Sequence, residues 1–213
     1  YDDVFPWPVA ADGAGHSLEM VDAAGDPQSP LNWQASAVLK GTPGAANSPA
    51  APAPPVVIAE ILAKSAGAFA FEGAVADFIE LTNTSGAPVS LAGWTLTVGS
   101  SQVAFGQTLA PGETLTVPCQ DRPLPAPGLA RRLDPAGGTV VLADATGRVR
   151  DGLRHGPQAT DVSLSRLGGV WRFTAPTPGA ASGPALVTAA PSALRINEWL
   201  ANPERGGDDW IEL

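Results

Sequence analysis

The chain has 213 residues and a net charge of −9 at neutral pH, a length that predicts one large domain or two small ones. The acidic charge and the absence of long basic runs argue against binding to nucleic acid or to an anionic membrane surface. The sequence contains no stretch of 18 apolar residues, so no membrane-spanning helix is predicted. The single cysteine, Cys119, excludes an internal disulfide and any zinc site built on cysteines.

Short runs with alternating or β-branched residues predict nine β-strands, while Pro and Gly interrupt every helical pattern. In chain order the predicted strands are 56–62, 77–82, 94–98, 102–105, 114–117, 139–142, 149–153, 162–165 and 171–173. Turn-forming residues connect several of them, for example at 83–86 and 144–147. This many short strands predicts an all-β fold, an immunoglobulin-like β-sandwich.

An internal repeat divides the chain. Thr-Pro-Gly-Ala-Ala at 42–46 returns at 177–181, and Ile-Ala-Glu at 58–60 is matched by Ile-Asn-Glu at 196–198, offsets of 135 and 138 residues. The predicted organisation is one complete copy flanked by two partial ones. Its parts are the C-terminal part of one repeat at 1–47, an Ala/Pro linker at 48–55, a complete sandwich at 56–182, a second linker at 183–193, and the start of a further repeat at 194–213.

The two ends carry their own expectation. Because the chain does not begin with Met, we expect a processed product or a fragment of a longer repeat array. The partial copies are expected to stay incompletely packed rather than to pair with each other by strand addition.

Five motifs in a fixed order resemble those of the lamin-tail domain. They are Ile-Ala-Glu-Ile at 58–61, Asp-Phe-Ile-Glu-Leu-Thr-Asn at 77–83, Leu-Ala-Gly-Trp at 91–94, Leu-Ala-Pro-Gly-Glu at 109–113 and Thr-Pro-Gly-Ala-Ala at 177–181. The chain departs from the family pattern at Ala59, Phe78 and Ser182, which replace the usual Asn, Trp and Asn. Losing the usual Asn at Ala59 removes a polar group that could tie down backbone near the first strand.

The resemblance implies a non-catalytic immunoglobulin-like module of a secreted or cell-surface bacterial protein. Its role would be that of a spacer, an adhesion module or a protein-interaction module, and its partners would be proteins, cell-surface polymers or neighbouring repeats. The alternative is an accessory binding module of an extracellular hydrolase, such as a nuclease or phosphatase, whose catalytic domain lies elsewhere. Neither alternative gives the chain a cofactor.

Glu60 and Glu80 fall on adjacent predicted strands, where paired carboxylates would serve as general acid and base or as cation ligands. The competing structural interpretation is that Glu80, opposite in direction to its apolar neighbours, is a solvated or backbone-bonded carboxylate. Catalysis would further require Asp151 and His155 to line the same cleft, whereas the missing nucleophile motif favours a loop histidine. Trp7, between two prolines, is the candidate for an aromatic ligand contact.

The remaining aromatic and polar residues have structural interpretations. Trp94 is predicted to fill the core between two sheets, and the same role is expected for Trp33, Trp171 and Trp210. Cys119 is expected to behave as a small buried hydrophobic residue. The acidic, glycine-rich turns at 12–13, 144–147 and 206–209 lack the spacing of a calcium loop and leave only a weak surface Ca2+ site open.

Overall fold

The computed structural model describes residues 7–8, 11, 15–21, 23–24, 27, 32–48, 54–147, 149–187, 195–200, 207–208 and 210–212. Seventeen β-strands lie in these residues. They are β1 (His16–Met20), β2 (Trp33–Leu39), β3 (Val56–Leu62), β4 (Ala70–Phe71), β5 (Ala74–Val75), β6 (Asp77–Asn83), β7 (Val89–Ser90), β8 (Thr95–Val98), β9 (Ser101–Ala104), β10 (Thr108–Leu109), β11 (Thr114–Cys119), β12 (Gly138–Ala143), β13 (Val149–His155), β14 (Ser163–Leu167), β15 (Val170–Thr174), β16 (Glu198–Leu200) and β17 (Trp210–Glu212).

Two antiparallel sheets form the central sandwich. The first has the order β11-β6-β3-β14-β15, and the second has the order β13-β12-β8-β9. These nine strands coincide with the nine predicted from the sequence, so the all-β, immunoglobulin-like fold class is confirmed. The two-residue ladders β4–β5 and β7–β10 were not among the predicted strands.

The core lies between the two sheets and follows the period of two in the strands. Ile79 and Leu81 of β6 face Leu96 of β8 and Leu142 of β12 within one apolar cluster, and all four are 0% exposed. Trp94 belongs to the same cluster and is 8% exposed, which confirms its predicted core position. Cys119 is fully buried there as well, and burial raises the pKa of its thiol.

A β-bulge at Ala59 determines which way Glu60 points. The register between β3 and β6 shifts between Ile58, which opposes Leu81, and Glu60, which opposes Glu80. Without the extra residue Glu60 would oppose Ile79 on the core face, because a slip of one residue moves a side chain to the other face. The bulge therefore places Glu60 on the outer face of the five-stranded sheet, where Glu80 of β6 also lies.

The flanking hairpins are described separately from the sandwich. Among the described residues, β1 forms a ladder only with β2, and β16 only with β17, so no strand addition between the partial copies is seen. Trp210 in β17 is 41% exposed, so its expected core position is wrong; its hairpin has no second sheet packed on it in the described part. The described residues contain no helix long and apolar enough to cross a membrane.

Candidate functional site

A row of polar residues crosses all five strands on the outer face of the larger sheet. The strand registers align Thr116 of β11, Glu80 of β6, Glu60 of β3, Ser165 of β14 and Arg172 of β15. Glu60 and Glu80 are 0% and 1% exposed. The two candidate site residues are therefore brought together, as their positions on adjacent strands predicted, but beneath the surface.

The cover over this row is the exit segment, which we define as residues 177–182. Glu60 accepts hydrogen bonds from the Thr177 backbone N–H (3.0 Å) and from the Thr177 hydroxyl (2.6 Å), and from Ser182 Oγ at 3.4 Å. Glu80 accepts hydrogen bonds from the hydroxyl of Thr116 (2.8 Å) and from the backbone N–H of Gly179. The two carboxylates thus hold the end of the sandwich chain against its sheet.

Burial raises the pKa of Glu80, and the charge of Glu60 acts in the same direction. The hydrogen bonds from Gly179 and Thr116 oppose this shift by stabilising the charged form. Protonated Glu80 is therefore present at a higher pH than for an exposed glutamate.

The exit segment opens with a tight turn. The Ala180 N–H donates to the Thr177 carbonyl at 3.0 Å, Pro178 occupies the second position, and Gly179 has a φ of 76°. These features define a type II turn, whose third position favours glycine. The predicted exit turn with glycine at positive φ is confirmed, and its function of covering two carboxylates is an addition that the sequence did not reveal.

The chain stays on the sheet beyond the exit segment. Ala185 forms an antiparallel bridge with Thr174 of β15, and the Leu186 N–H donates to the Phe173 carbonyl at 2.7 Å. The first residues of the predicted second linker are thus hydrogen-bonded to the edge of the five-stranded sheet.

Of the two structural interpretations of Glu80, the solvated carboxylate is wrong because the side chain is buried. The backbone-bonded carboxylate is confirmed by the hydrogen bond from the Gly179 N–H. Alternation along β6 correctly separates Glu80 from Ile79 and Leu81. The burial comes from the exit segment, which lies about a hundred residues further along the chain and leaves no local signal in β6.

A further buried carboxylate, Asp77, was not singled out from the sequence. It is 1% exposed and accepts two hydrogen bonds from Arg132, at 3.0 Å from Nε and 2.7 Å from Nη2. The backbone N–H groups of Ser65 (2.9 Å) and Leu133 (3.2 Å) donate to it as well. This ion pair joins the loop after β3 to the loop before β12.

Asp151 and His155 do not join the two glutamates. Asp151 accepts from the Ile58 N–H at 2.7 Å and pairs with Arg166 at 2.9 Å. His155 corrects the prediction of a loop histidine: it ends strand β13, is 4% exposed, and its Nδ1 contacts the Gly156 carbonyl at 3.0 Å. Burial lowers the pKa of His155, with a weaker opposing effect of that hydrogen bond.

A surface hollow of about 530 Å³ lies beside His155 and is lined by His155, Arg154 and the glycine-rich turn at 136–138. Glu60, Glu80 and Asp151 do not line it. The cleft that catalysis would require is therefore not formed by the four residues considered for it.

Three tryptophans lie at half-buried positions with aromatic or cationic neighbours. Trp7 and Trp33 have ring centroids 6.2 Å apart and a tilt of 45°, so Trp7 packs on another aromatic ring while keeping part of its surface exposed. Trp171 is half-buried against the core, with the Arg166 guanidinium 4.9 Å above its ring. Trp33 and Trp171 thus occupy intermediate rather than fully buried positions.

The acidic turn at 144–147 is closed by its own side chain, because Asp144 Oδ1 accepts from the Thr146 N–H at 2.9 Å and from its hydroxyl at 2.6 Å. Within the described part of the chain, no three His, Cys, Asp or Glu residues are grouped to hold a metal ion. The turn at 12–13 and residues 206 and 209 of the turn at 206–209 lie outside the described residues.

The architecture is thus that of an immunoglobulin-like sandwich module whose buried carboxylates fix loops and the chain exit. The family model described as Lamin Tail Domain matches residues 49–157, half of the chain, and the protein belongs to this family. Strands β14 and β15 lie beyond the matched residues but complete the same five-stranded sheet. No curated protein matches the chain.

Proposed function

We propose that the chain is a non-catalytic spacer or interaction module of a secreted or cell-surface bacterial protein built from tandem repeats. Membership of a family of immunoglobulin-like modules is consistent with a non-catalytic interaction domain. The supporting observation is that Glu60 and Glu80, the best acid–base candidates, are covered by the exit segment and bound to it. A carboxylate that is buried and hydrogen-bonded in this way anchors the chain and does not contact a substrate.

Anchoring by Glu60 and Glu80 suits a spacer because it acts where the chain leaves the domain. Five hydrogen bonds engage the carboxylates, and four of their donors belong to the exit segment: two from Thr177, one from Gly179 and one from Ser182. Charge-assisted hydrogen bonds of this kind are worth about 1.5–3 kcal/mol each. The following linker therefore departs from a fixed point on the sandwich, and Ala/Pro-rich sequence keeps it extended.

A domain replacement in the parent protein tests this function. Residues 56–187 are exchanged for an unrelated immunoglobulin-like sandwich of similar length, and surface display, adhesion and any activity of the parent are measured. A spacer tolerates the exchange. Loss of these properties, with the replaced protein still exported and folded, would refute the spacer function.

The alternative is an accessory module that binds substrate for a hydrolase elsewhere in the parent protein. The observation that favours it is Trp7, which is half-buried on Trp33 and keeps an aromatic surface available. In that case the replacement chain would retain catalysis on small soluble substrates but lose it on polymers. Trp7→Ala in the 213-residue chain would weaken polymer binding, whereas substitution of core Trp94 would unfold the sandwich.

A further inference from the structure

Glu60 and Glu80 are direct partners across β3 and β6, so their Cβ atoms lie about 4.5–5.5 Å apart. Both are essentially fully buried, and in the described part of the chain neither has an ion pair with a basic residue. Two like charges this close in a poorly solvated site disfavour double ionisation. The pair therefore needs something other than a salt bridge to balance its charge.

The groups facing the pair are nearly all neutral. Thr116 of β11 and Ser165 of β14 flank it in the row, and the row ends at the exposed Arg172 of β15, two strands from Glu60. Residues 175–187, which include the exit segment above the pair, contain no titratable side chain. A proton is therefore the simplest neutralising charge available to the pair.

We propose that Glu60 and Glu80 share one proton, held on Glu80, and that this proton stabilises the packing of the exit segment against the five-stranded sheet. The proton is placed on Glu80 because Glu80 accepts hydrogen bonds from two donors, whereas Glu60 accepts them from three. Both donors to Glu80 bind its Oε1 atom. A proton on Oε2 consequently leaves the bonds from Thr116 and Gly179 in place.

The direction of the pH effect follows from the raised pKa of Glu80. A carboxyl group whose pKa is higher in the folded state contributes stability that is complete below its unfolded pKa, about 4.3. That contribution is lost as pH rises through the folded pKa, because the second negative charge then forms beside Glu60. The exit segment is thus held most firmly in mild acid and is released more readily at neutral and alkaline pH.

Other titratable groups change the stability of the fold with pH in the opposite direction, so the effect of Glu80 must be measured locally. The pKa of His155 is lowered, chiefly by burial, and that of Asp161 is lowered by hydrogen bonds from the Ala66 and Ala68 N–H groups. Both groups weaken the folded state on acidification, so a global unfolding curve would mix these effects. The local readout is amide hydrogen exchange of Thr177 and Gly179, whose N–H groups bind the two carboxylates.

The experiment uses the full 213-residue chain and measures protection factors, that is, exchange relative to the unstructured rate at the same pH, between pH 4 and 8, so that the series begins below the unfolded pKa of Glu80. We expect protection of Thr177 and Gly179 to fall with rising pH, about tenfold for each unit by which the folded pKa of Glu80 exceeds its unfolded value. Amides of Leu96 in the opposite sheet provide the internal reference. Protection that is independent of pH in the native chain would overturn the proposal.

Glu80→Gln mimics the protonated group because it is neutral and keeps an acceptor oxygen. In this variant the amides of Thr177 and Gly179 should stay highly protected at every pH, so the fall in protection with rising pH should disappear. Glu72→Gln, at an exposed glutamate, should leave that fall unchanged. Loss of protection in the Gln variant at all pH values would show that ionised Glu80 is needed, against the proposal. If that variant does not fold, the carboxyl carbon of Glu80 in the native chain must titrate above about 4.3, and an ordinary value would overturn the inference.

The inference does not rest on the spacer function. Amide exchange reports only on the pair and its cover, so it succeeds or fails whether or not a domain replacement preserves the activity of the parent protein.

Discussion

The ion pair between Asp77 and Arg132 gives the sharpest test of how buried charge holds the loops of the sandwich. Each oxygen of Asp77 accepts two hydrogen bonds: Oδ1 from Ser65 N and Arg132 Nη2, and Oδ2 from Arg132 Nε and Leu133 N. Asp77→Asn replaces one oxygen with an amide donor and leaves two donors without an acceptor. At about 1–3 kcal/mol for each of the two unsatisfied donors, we expect a loss of about 2–6 kcal/mol.

Arg132→Met removes the other partner and leaves the Asp77 carboxylate buried without its cation. Breaking a fully buried pair costs about 3–5 kcal/mol, but the Arg132 side chain is 37% exposed, so water screening reduces the expected loss to about 2–3 kcal/mol. The double variant should lose less than the sum of the two. We expect a coupling energy of at least about 1.5 kcal/mol.

Urea unfolding followed by circular dichroism measures these losses. With a slope of about 2 kcal/mol/M, a loss of 3 kcal/mol lowers the midpoint by about 1.5 M. The control is the ion pair of Arg122 and Glu72, 3.2 Å apart with side chains 42% and 45% exposed, for which the same cycle should give less than about 1 kcal/mol. Equal coupling in the two pairs, or a loss below about 1 kcal/mol for Asp77→Asn, would refute the reasoning.

The same urea titration checks three further expectations. Thr177→Val removes the 2.6 Å hydroxyl bond to buried Glu60 and should cost about 1–2 kcal/mol, whereas Thr108→Val, at an exposed position of β10, should change stability by less than about 0.5 kcal/mol. Gly179→Ala forces a side chain into a φ of 76° and should cost about 1 kcal/mol, whereas Gly86→Ala, with open space and no such φ, should be neutral. Asn83→Ala should cost about 2–3 kcal/mol, because its fully buried amide donates to two backbone carbonyls at 2.8 and 2.9 Å.

Features that depend on local sequence were predictable. The nine sandwich strands have a period of two that separates core from outer face, and Trp94 follows a glycine turn into the core. The position of Glu60 and Glu80 on adjacent strands was predicted as well, whereas the bulge that brings them directly opposite each other was not. The repeat located the Thr-Pro-Gly turn, and its residue types predicted the turn geometry.

What could not be predicted are contacts between distant segments. The Asp77 ion pair joins residues 55 positions apart, and the cover of Glu80 comes from a residue 99 positions away. An isolated Glu in an apolar strand predicts exposure because most glutamates are exposed. Only a three-dimensional arrangement shows that the opposite face of this sheet is also covered.

The N-terminal hairpin contains the same kind of Thr-Pro-Gly turn as the exit segment, and this turn is also anchored by a carboxylate. Its Thr-Pro-Gly turn has the same 3.0 Å bond, from Ala45 N to Thr42 O, and a glycine at a φ of 77°. The Thr42 hydroxyl there donates to Glu19 of β1 at 3.0 Å, and Ser48 N donates to the same carboxylate at 2.8 Å. Burial opposes ionisation of Glu19, yet these hydrogen bonds together hold its pKa below the ordinary value.

Glu19 does not occupy the position of Glu60 in the repeat. The shared Ser-Leu pair at 17–18 and 163–164 aligns Glu19 with Ser165, which in the sandwich stands directly opposite Glu60. The turn is therefore constant, while the carboxylate comes from either of two neighbouring strands in the same row. Since a hydroxyl and backbone N–H groups need only a buried acceptor within reach, the row must supply a carboxylate but not at one fixed position. The Thr-Pro-Gly motif can consequently locate both turns without identifying the carboxylate that each turn binds.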